Sequence, residues 1–508
     1  MFGSEWLIEQ LSRLGFSISY GEVTLFRQSV MQDPNFGQIR LPEIQSSITQ
    51  FSCDNADANV DSLSGDGNFH GMGTIAWYKK EPKRTLDMGS VKRMARLKVS
   101  DLTQDRGIPQ LRYITSALGM SNIKFKPIHE LLRPLIVPPS LYYSQLLWRS
   151  TSFSTSQNVP EHWINWSGCM QHIFKSSDAD SNEDEVVCLP LIDMDPNDEN
   201  CIYSAIMFIV AQLEKMAISA TSVTFDQPLF SKALEVVESK DLGSKIVLRL
   251  GGFHTLMSAI GAVFHTMKGS GIEACLEEIF GSNTVVNIMC GKKFNRAVRA
   301  IHLLSAALNF QIIHMIVSTV RNDDGLSHAE VAELMELIST QNQSIDQTIT
   351  HEVIDKLDRL IMQKKALLSN RRTGRLWVQF MDYLSLLEEF IASERLGLWH
   401  SHLDACVKLL NVFAATGHLH YAKSARIYVQ RMDDLPDTHP HLYQSYVENG
   451  RHAVYRSDHC FNSIWSDLTI EQVCMKGIKS PTSGLTHGRS LTESVKLHCP
   501  LASLSPMR

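Results

Sequence analysis

Residues 221–229 read TSVTFDQPL. Ser222 to Phe225 suit a short buried strand that delivers Asp226 to its C-terminal end, and Gln227-Pro228 stops it there. The flanks carry helical periodicity, Cys201 to Met216 before and Leu229 to Ser239 after, and a further strand is expected at Lys245 to Leu250. This is a βαβ pattern with a central strand. In open α/β sheets reactive groups gather outside the carboxyl ends of such strands, so Asp226 is a candidate for chemistry. The same residue type at the same place also serves as an ordinary helix N-cap.

Working outward, SSITQFSC (46–53) is expected as a strand ending on Asp54-Asn55, and FHGMGTIAWY (69–78) as its hairpin partner across the turn-rich DANVDSLSGDGN. Asp57 and Asp61 follow Asp54 closely, as turn residues do. A third strand is expected at Val186 to Ile192. The order is then β1-β2-β3-α-β4-α-β5, that of a ribonuclease H-like mixed sheet, in which the first and fourth strands are neighbours. Asp54 and Asp226 would meet there despite their distance along the chain.

With 508 residues the chain exceeds what one hydrophobic core organises. The expected division is an N-terminal helical segment (1–45, with helices Glu5 to Leu14 and Tyr20 to Met31, Ser19 capping the second), then a sheet core (46–253). Within that core, residues 80–185 form a long connection with weak helices, a Ser/Thr run at 150–157 and an acidic loop at 176–185. An all-α insertion (254–450), a return to the core (451–490) and a disordered tail (491–508) complete it. The fold class is α/β plus α. In the return segment a short hairpin, Arg451 to Arg456 with Cys460 to Trp465, precedes a helix at Leu468 to Lys476. Asp467 is expected to cap that helix and Glu471 to lie in its first turn.

Composition sets bounds. Hydrophobic residues are 44% and charged residues 20%, ordinary for a water-exposed globular chain. No apolar run in the sequence is expected to cross a bilayer, and the first residues do not resemble a signal peptide, so no membrane partner and an intracellular location, nucleus or cytoplasm, are expected. Ten scattered cysteines without a CxxC pair argue for reduced thiols. The net charge of -6 excludes a polycation that coats nucleic acid by charge alone. Two basic stretches, Lys79 to Lys98 and Lys356 to Arg375, could follow a phosphate backbone, but solvated helix faces and loops are the favoured account of them.

Two strand-end aspartates and a glutamate on a helix beyond the sheet suit two-metal phosphoryl transfer, because hard Mg²⁺ or Mn²⁺ ions take oxygen ligands. In this reading Asp54 bridges the ions, Asp226 holds one and Glu471 completes the second. The histidine pairs 400/402, 418/420 and 439/441 are two apart, a spacing that does not turn both rings one way on a helix. The sequence contains no GxxxxGK[ST], GxSxG or HExxH motif, so nucleotide-hydrolase, esterase and zinc-protease readings lack support, and no small-molecule substrate is implied.

Longer runs carry a resemblance: ITQFSCDNADANVDSLSGDGNFHGMG, VTFDQPLFSKA, LRLGGFHTLMSAIG, FIASERLGLWHSHL, GHLHYAKSARIYVQRM and IEQVCMKGIK. Together they resemble a multicopy, uncharacterised invertebrate family of mobile-element descent, whose plan is similar to that of ribonuclease H-like (DDE) cut-and-paste transposases. By this resemblance Asp54-Asn55 and Asp226-Gln227 match the two motif aspartates, and Glu471 matches the glutamate of an IEQ motif. It implies DNA as a partner, with self-association allowed, and a metal-dependent cleavage or strand-transfer site that is active or decayed. The alternative function is a non-catalytic helical interaction protein of the same descent.

Overall fold

The computed structural model describes residues 5–32, 48–59, 68–80, 93, 108–114, 124–157, 165–174, 183–318, 325–339, 351–457 and 461–475. Five strands form one mixed sheet: β1 (Gln50–Asn59), β2 (Asn68–Lys79), β3 (Asp184–Cys188), β4 (Thr221–Phe225) and β5 (Ile246–Leu250). Their spatial order is β3-β2-β1-β4-β5. β1, β2 and β3 pair antiparallel, with Asp54 opposite Gly73 and Trp77 opposite Val186. β4 pairs parallel to β1 through Phe51 with Val223, and parallel to β5 from Thr221 with Ile246 to Phe225 with Leu250. Every residue of β4 and β5 is buried, as expected of parallel strands covered on both faces.

Period-two alternation assigns the faces. Phe51, Cys53, Met72 and Ala76 join the large core beneath the crossover helices Glu199–Met216 and Gln227–Ser239. Ala56, Ile75 and Trp77 point the other way, into a second core shared with Ile470, Cys474 and Met475 of the last helical segment. Gly73 allows that segment to settle, since a Cβ there would run into the Met475 side chain.

From Gly252 to Asn449 the described residues are helical and contain no strand. Their longest helices, Phe294–Ser318 and Arg372–Leu396, place Ile301, Phe380, Leu384 and Leu387 in the large core at helical spacing. Among the described residues Phe294–Ser318 is long and apolar enough to span a bilayer by length and composition alone, and half of its most apolar window is buried in the protein, as in a core helix.

Several boundaries differ from expectation. β1 runs on to Asn59, so Asp54 lies inside the strand; it is the pairing with β4 that stops near Ser52. The Ser/Thr run at 150–157 continues the helix Pro139–Gln157, and Ser150 and Thr151 satisfy their hydroxyls by donating to the carbonyls of Leu146 and Trp148. The end of the expected acidic loop is strand: Asp184 is buried against Arg451 and accepts the Tyr455 N–H at 2.9 Å. The last helix begins earlier, at Ser466, and opens into a wider π-type turn at Glu471–Met475. Ser19 does cap its helix, accepting from the Glu22 N–H at 3.2 Å. No two of the eight cysteines among the described residues are joined to each other in a disulfide. Residues 176–182, most of the first basic stretch, Asp61 and the 491–508 tail lie outside the described residues.

Candidate active site

Asp54 is 3% exposed and faces the last helical segment, on the same side of β1 as Ala56. One carboxylate oxygen accepts the Asn55 N–H at 2.8 Å, and the other, Oδ2, is buried without a hydrogen-bond partner. Burial pushes its pKa up to about 8; His254 pulls it down, while Asp226 and Glu471 push it further up. Asp226 and Glu471 thus both lie within electrostatic reach of Asp54. Asp226 sits at the end of β4 and caps the helix Gln227–Ser239 by accepting the Leu229 N–H at 3.1 Å. The N-cap reading of this residue therefore holds. Its pKa is also raised, first by burial, against the Leu229 N–H and His254, with Asp467 adding to the rise.

Glu471 is half-buried and begins the π-type turn, not the first turn of its helix. Asp467 does not cap that helix either: the cap position is Trp465, which offers no side-chain bond. The Asp467 carboxylate, 1% exposed, reaches the helix Gly252–Thr266 that leaves β5. It accepts the backbone N–H groups of Phe253 and His254, each at 3.1 Å, and lies 3.1 Å from His254 Nδ1. Gly251, at the cap position of that helix, has no side chain to do this. Burial opposes charging of His254, but the bond to Asp467 and the fields of Asp467, Asp54 and Asp226 outweigh it and lift its pKa to about 9. Near neutral pH this ring is an imidazolium among carboxylates. Tyr421 stands at the rim, its hydroxyl pKa raised by burial and then by Asp226, Asp467 and Asp54.

Asp467 and His254 were missed in the sequence. His254 lies in the first turn of the helix that leaves β5, near the carboxyl edge of the sheet, so the rule that reactive groups gather there could have found it. Asp467 carried no local signal beyond capping. The carboxyl groups of Asp54, Asp226 and Glu471, with an orphaned oxygen on Asp54, are the kind of oxygen donors that hard divalent cations such as Mg²⁺ or Mn²⁺ take, while Asp467 is engaged with the helix end and His254. As they stand, Asp54, Asp226 and Glu471 do not close to within 4.8 Å of one another as a ligand trio; among the described residues the one such trio is Glu394, His402 and His452. In the second basic stretch, Lys356 pairs with Glu330 at 2.7 Å and Lys365 with Asp382 at 2.9 Å, which occupies these two cations on helix faces.

Residues 165–503 match the family model described as a domain of unknown function, DUF8702. No curated protein and no solved structure matches the chain. The matched span begins after β1 and β2, so Asp54 lies before it, whereas Asp226, His254, Asp467 and Glu471 lie within it. Since that span is more than half of the chain, the protein belongs to the DUF8702 family.

Proposed function

We propose that this protein is a transposase-derived, ribonuclease H-like DNA-processing protein that cuts phosphodiesters with Mg²⁺ or Mn²⁺ held by Asp54, Asp226 and Glu471. The observation that carries the reading is the convergence of Asp54 on β1 and Asp226 on the adjacent β4 with Glu471 from the last helical segment, close enough that the last two raise the Asp54 pKa. The strand order, three antiparallel strands followed by two parallel ones, supports it further.

When bound, a metal pair would supply a polarised phosphoryl group and an activated attacking oxygen. The chain's own part is to keep the acids in register. β1 and β4 fix the two aspartates, and Asp226 is further locked by its cap bond to Leu229. Asp467 orients His254, whose positive charge offsets the mutual repulsion of the carboxylates. Burial of Asp54 raises its basicity, so a cation entering the site displaces a proton from a group otherwise held neutral.

The test is metal-dependent nicking or strand transfer on DNA, wild type against Asp226→Asn and Glu471→Gln. The expected result is Mg²⁺- or Mn²⁺-dependent activity in the wild type that falls by about 10³-fold or more in either variant. Equal activity in all three chains, or activity in none, removes the proposal.

A further inference from the structure

Away from the carboxylate site, Glu394, His402 and His452 come together from three separate elements: the end of the helix Arg372–Leu396, the first turn of Trp399–Ala415, and the link between Pro440–Asn449 and the short strand Val454–Tyr455. All three are 0 to 1% exposed. Glu394 Oε2 lies 3.3 Å from His402 Nδ1 and 3.7 Å from His452 Nε2. None of these three atoms makes an aligned hydrogen bond, and Glu394 Oε1 and His452 Nδ1 are buried without partners as well. Leaving so many polar atoms unpaired in a protein interior is costly.

We propose that Glu394, His402 and His452 are the ligands of an internal zinc-type divalent cation, distinct from the carboxylate site.

The spacing fits. An ion bound tetrahedrally at 2.0–2.1 Å holds its ligand atoms about 3.4 Å apart, close to the separations found here. Imidazole with one carboxylate favours zinc or cobalt over magnesium. The outer contacts fit too: His402 Nε2 lies 3.1 Å from the Tyr428 hydroxyl, so a proton on Nε2 leaves Nδ1 as the ligand atom. Cys406 Sγ is 3.8 Å from that same Nε2, on the side of the ring away from the ion. The nearby small cavity is lined by His402, Cys406, Thr255 and Tyr428 but not by Glu394 or His452, so the role is to tie elements together rather than to admit a substrate.

The competing arrangement is a protonated His402 paired with Glu394, with His452 kept neutral by burial, by the charge of His402 and by Arg249, whose guanidinium donates to the His452 carbonyl. That pairing leaves both nitrogens of His452 unsatisfied, whereas an ion engages all three side chains.

The experiment is metal analysis of the full chain, purified without chelator and with any affinity tag removed. About one zinc per chain is expected in the wild type and equally in Asp226→Asn, falling to roughly a tenth or less in His452→Ala and Glu394→Gln. A folded wild-type chain that holds no zinc and takes up neither Zn²⁺ nor Co²⁺ overturns the proposal, as does full retention of zinc in both variants. Should the variants fail to fold, X-ray absorption of the wild-type zinc decides: a first shell of nitrogen and oxygen supports the assignment, and a sulfur shell overturns it. Loss of nicking with the zinc retained would count against the proposed nuclease alone.

Discussion

Asp467 closes the exposed end of a helix that begins more than two hundred residues earlier, accepting the backbone N–H of His254 and holding its ring Nδ1 at 3.1 Å. The last helical segment is thereby fastened to the carboxyl edge of the sheet, which brings Glu471 within electrostatic reach of Asp54. The bond is structural and electrostatic together: it satisfies orphan helix donors and fixes a positive charge among acids.

Asp467→Ala should therefore cost about 1–3 kcal/mol, because it removes a cap and strands a half-buried imidazolium. Asp467→Asn should cost less, since one carbonyl oxygen remains to accept. Chemical denaturation midpoints measure both; an Ala variant as stable as the wild type would show that the cap carries no weight.

Gly251→Ala should lose about 1–3 kcal/mol by overpacking. A Cβ there collides with the Asp467 carboxylate and comes within 3.2 Å of the Phe225 carbonyl, neither of which can retreat without breaking the cap or the sheet edge. A melting temperature equal to wild type would contradict this close approach.

Asp54→Asn should separate stability from activity. The native protein favours a neutral group at this site, so the amide is expected to hold or raise stability by about 1 kcal/mol near neutral pH while abolishing any metal-dependent cleavage. Calorimetry beside the nicking assay reads both arms. A variant that melts well below wild type would mean that the ionised carboxylate is needed for folding.

Glu388 and Glu389 give the pH prediction. Burial works to raise both, but Arg149 and His302 bind Glu388 and hold it below its usual range, while burial leaves Glu389 raised from 4.5 to about 8. A raised folded pKa means that Glu389 contributes its stability fully below about 4.5 and loses it as pH rises through about 8. Glu389→Gln, which mimics the neutral form, should thus gain on wild type as pH rises from about 4.5 to about 8, by at least about 1 kcal/mol more at about pH 8 than at about pH 4, and change little above that. A difference that stays flat across this range would refute the assignment.

Much of the sheet was legible because it depends on short-range pattern. The apolar runs at 222–225 and 245–250, the helical periods between them and the alternation around Phe51 and Trp77 specify strands, crossovers and faces locally. Asp226 was legible for the same reason, standing where a strand stops and a helix must be capped. Boundaries were less so: β1 outruns Asp54 because β2 continues to pair with it after β4 has ended, and no local signal marks the end of a neighbour.

By itself, then, the order of residues determined the strands, the two crossover helices and the position of Asp226 at a strand end, since each follows from the spacing of apolar and turn-forming side chains. Only the tertiary structure decided that Asp467 serves the helix after β5, that His254 stands among the acids, and that His402 meets His452 and Glu394 rather than His400. Those partners lie on different elements, and the free energy that joins them, desolvated charge meeting its complement, exists only once the core has closed around them.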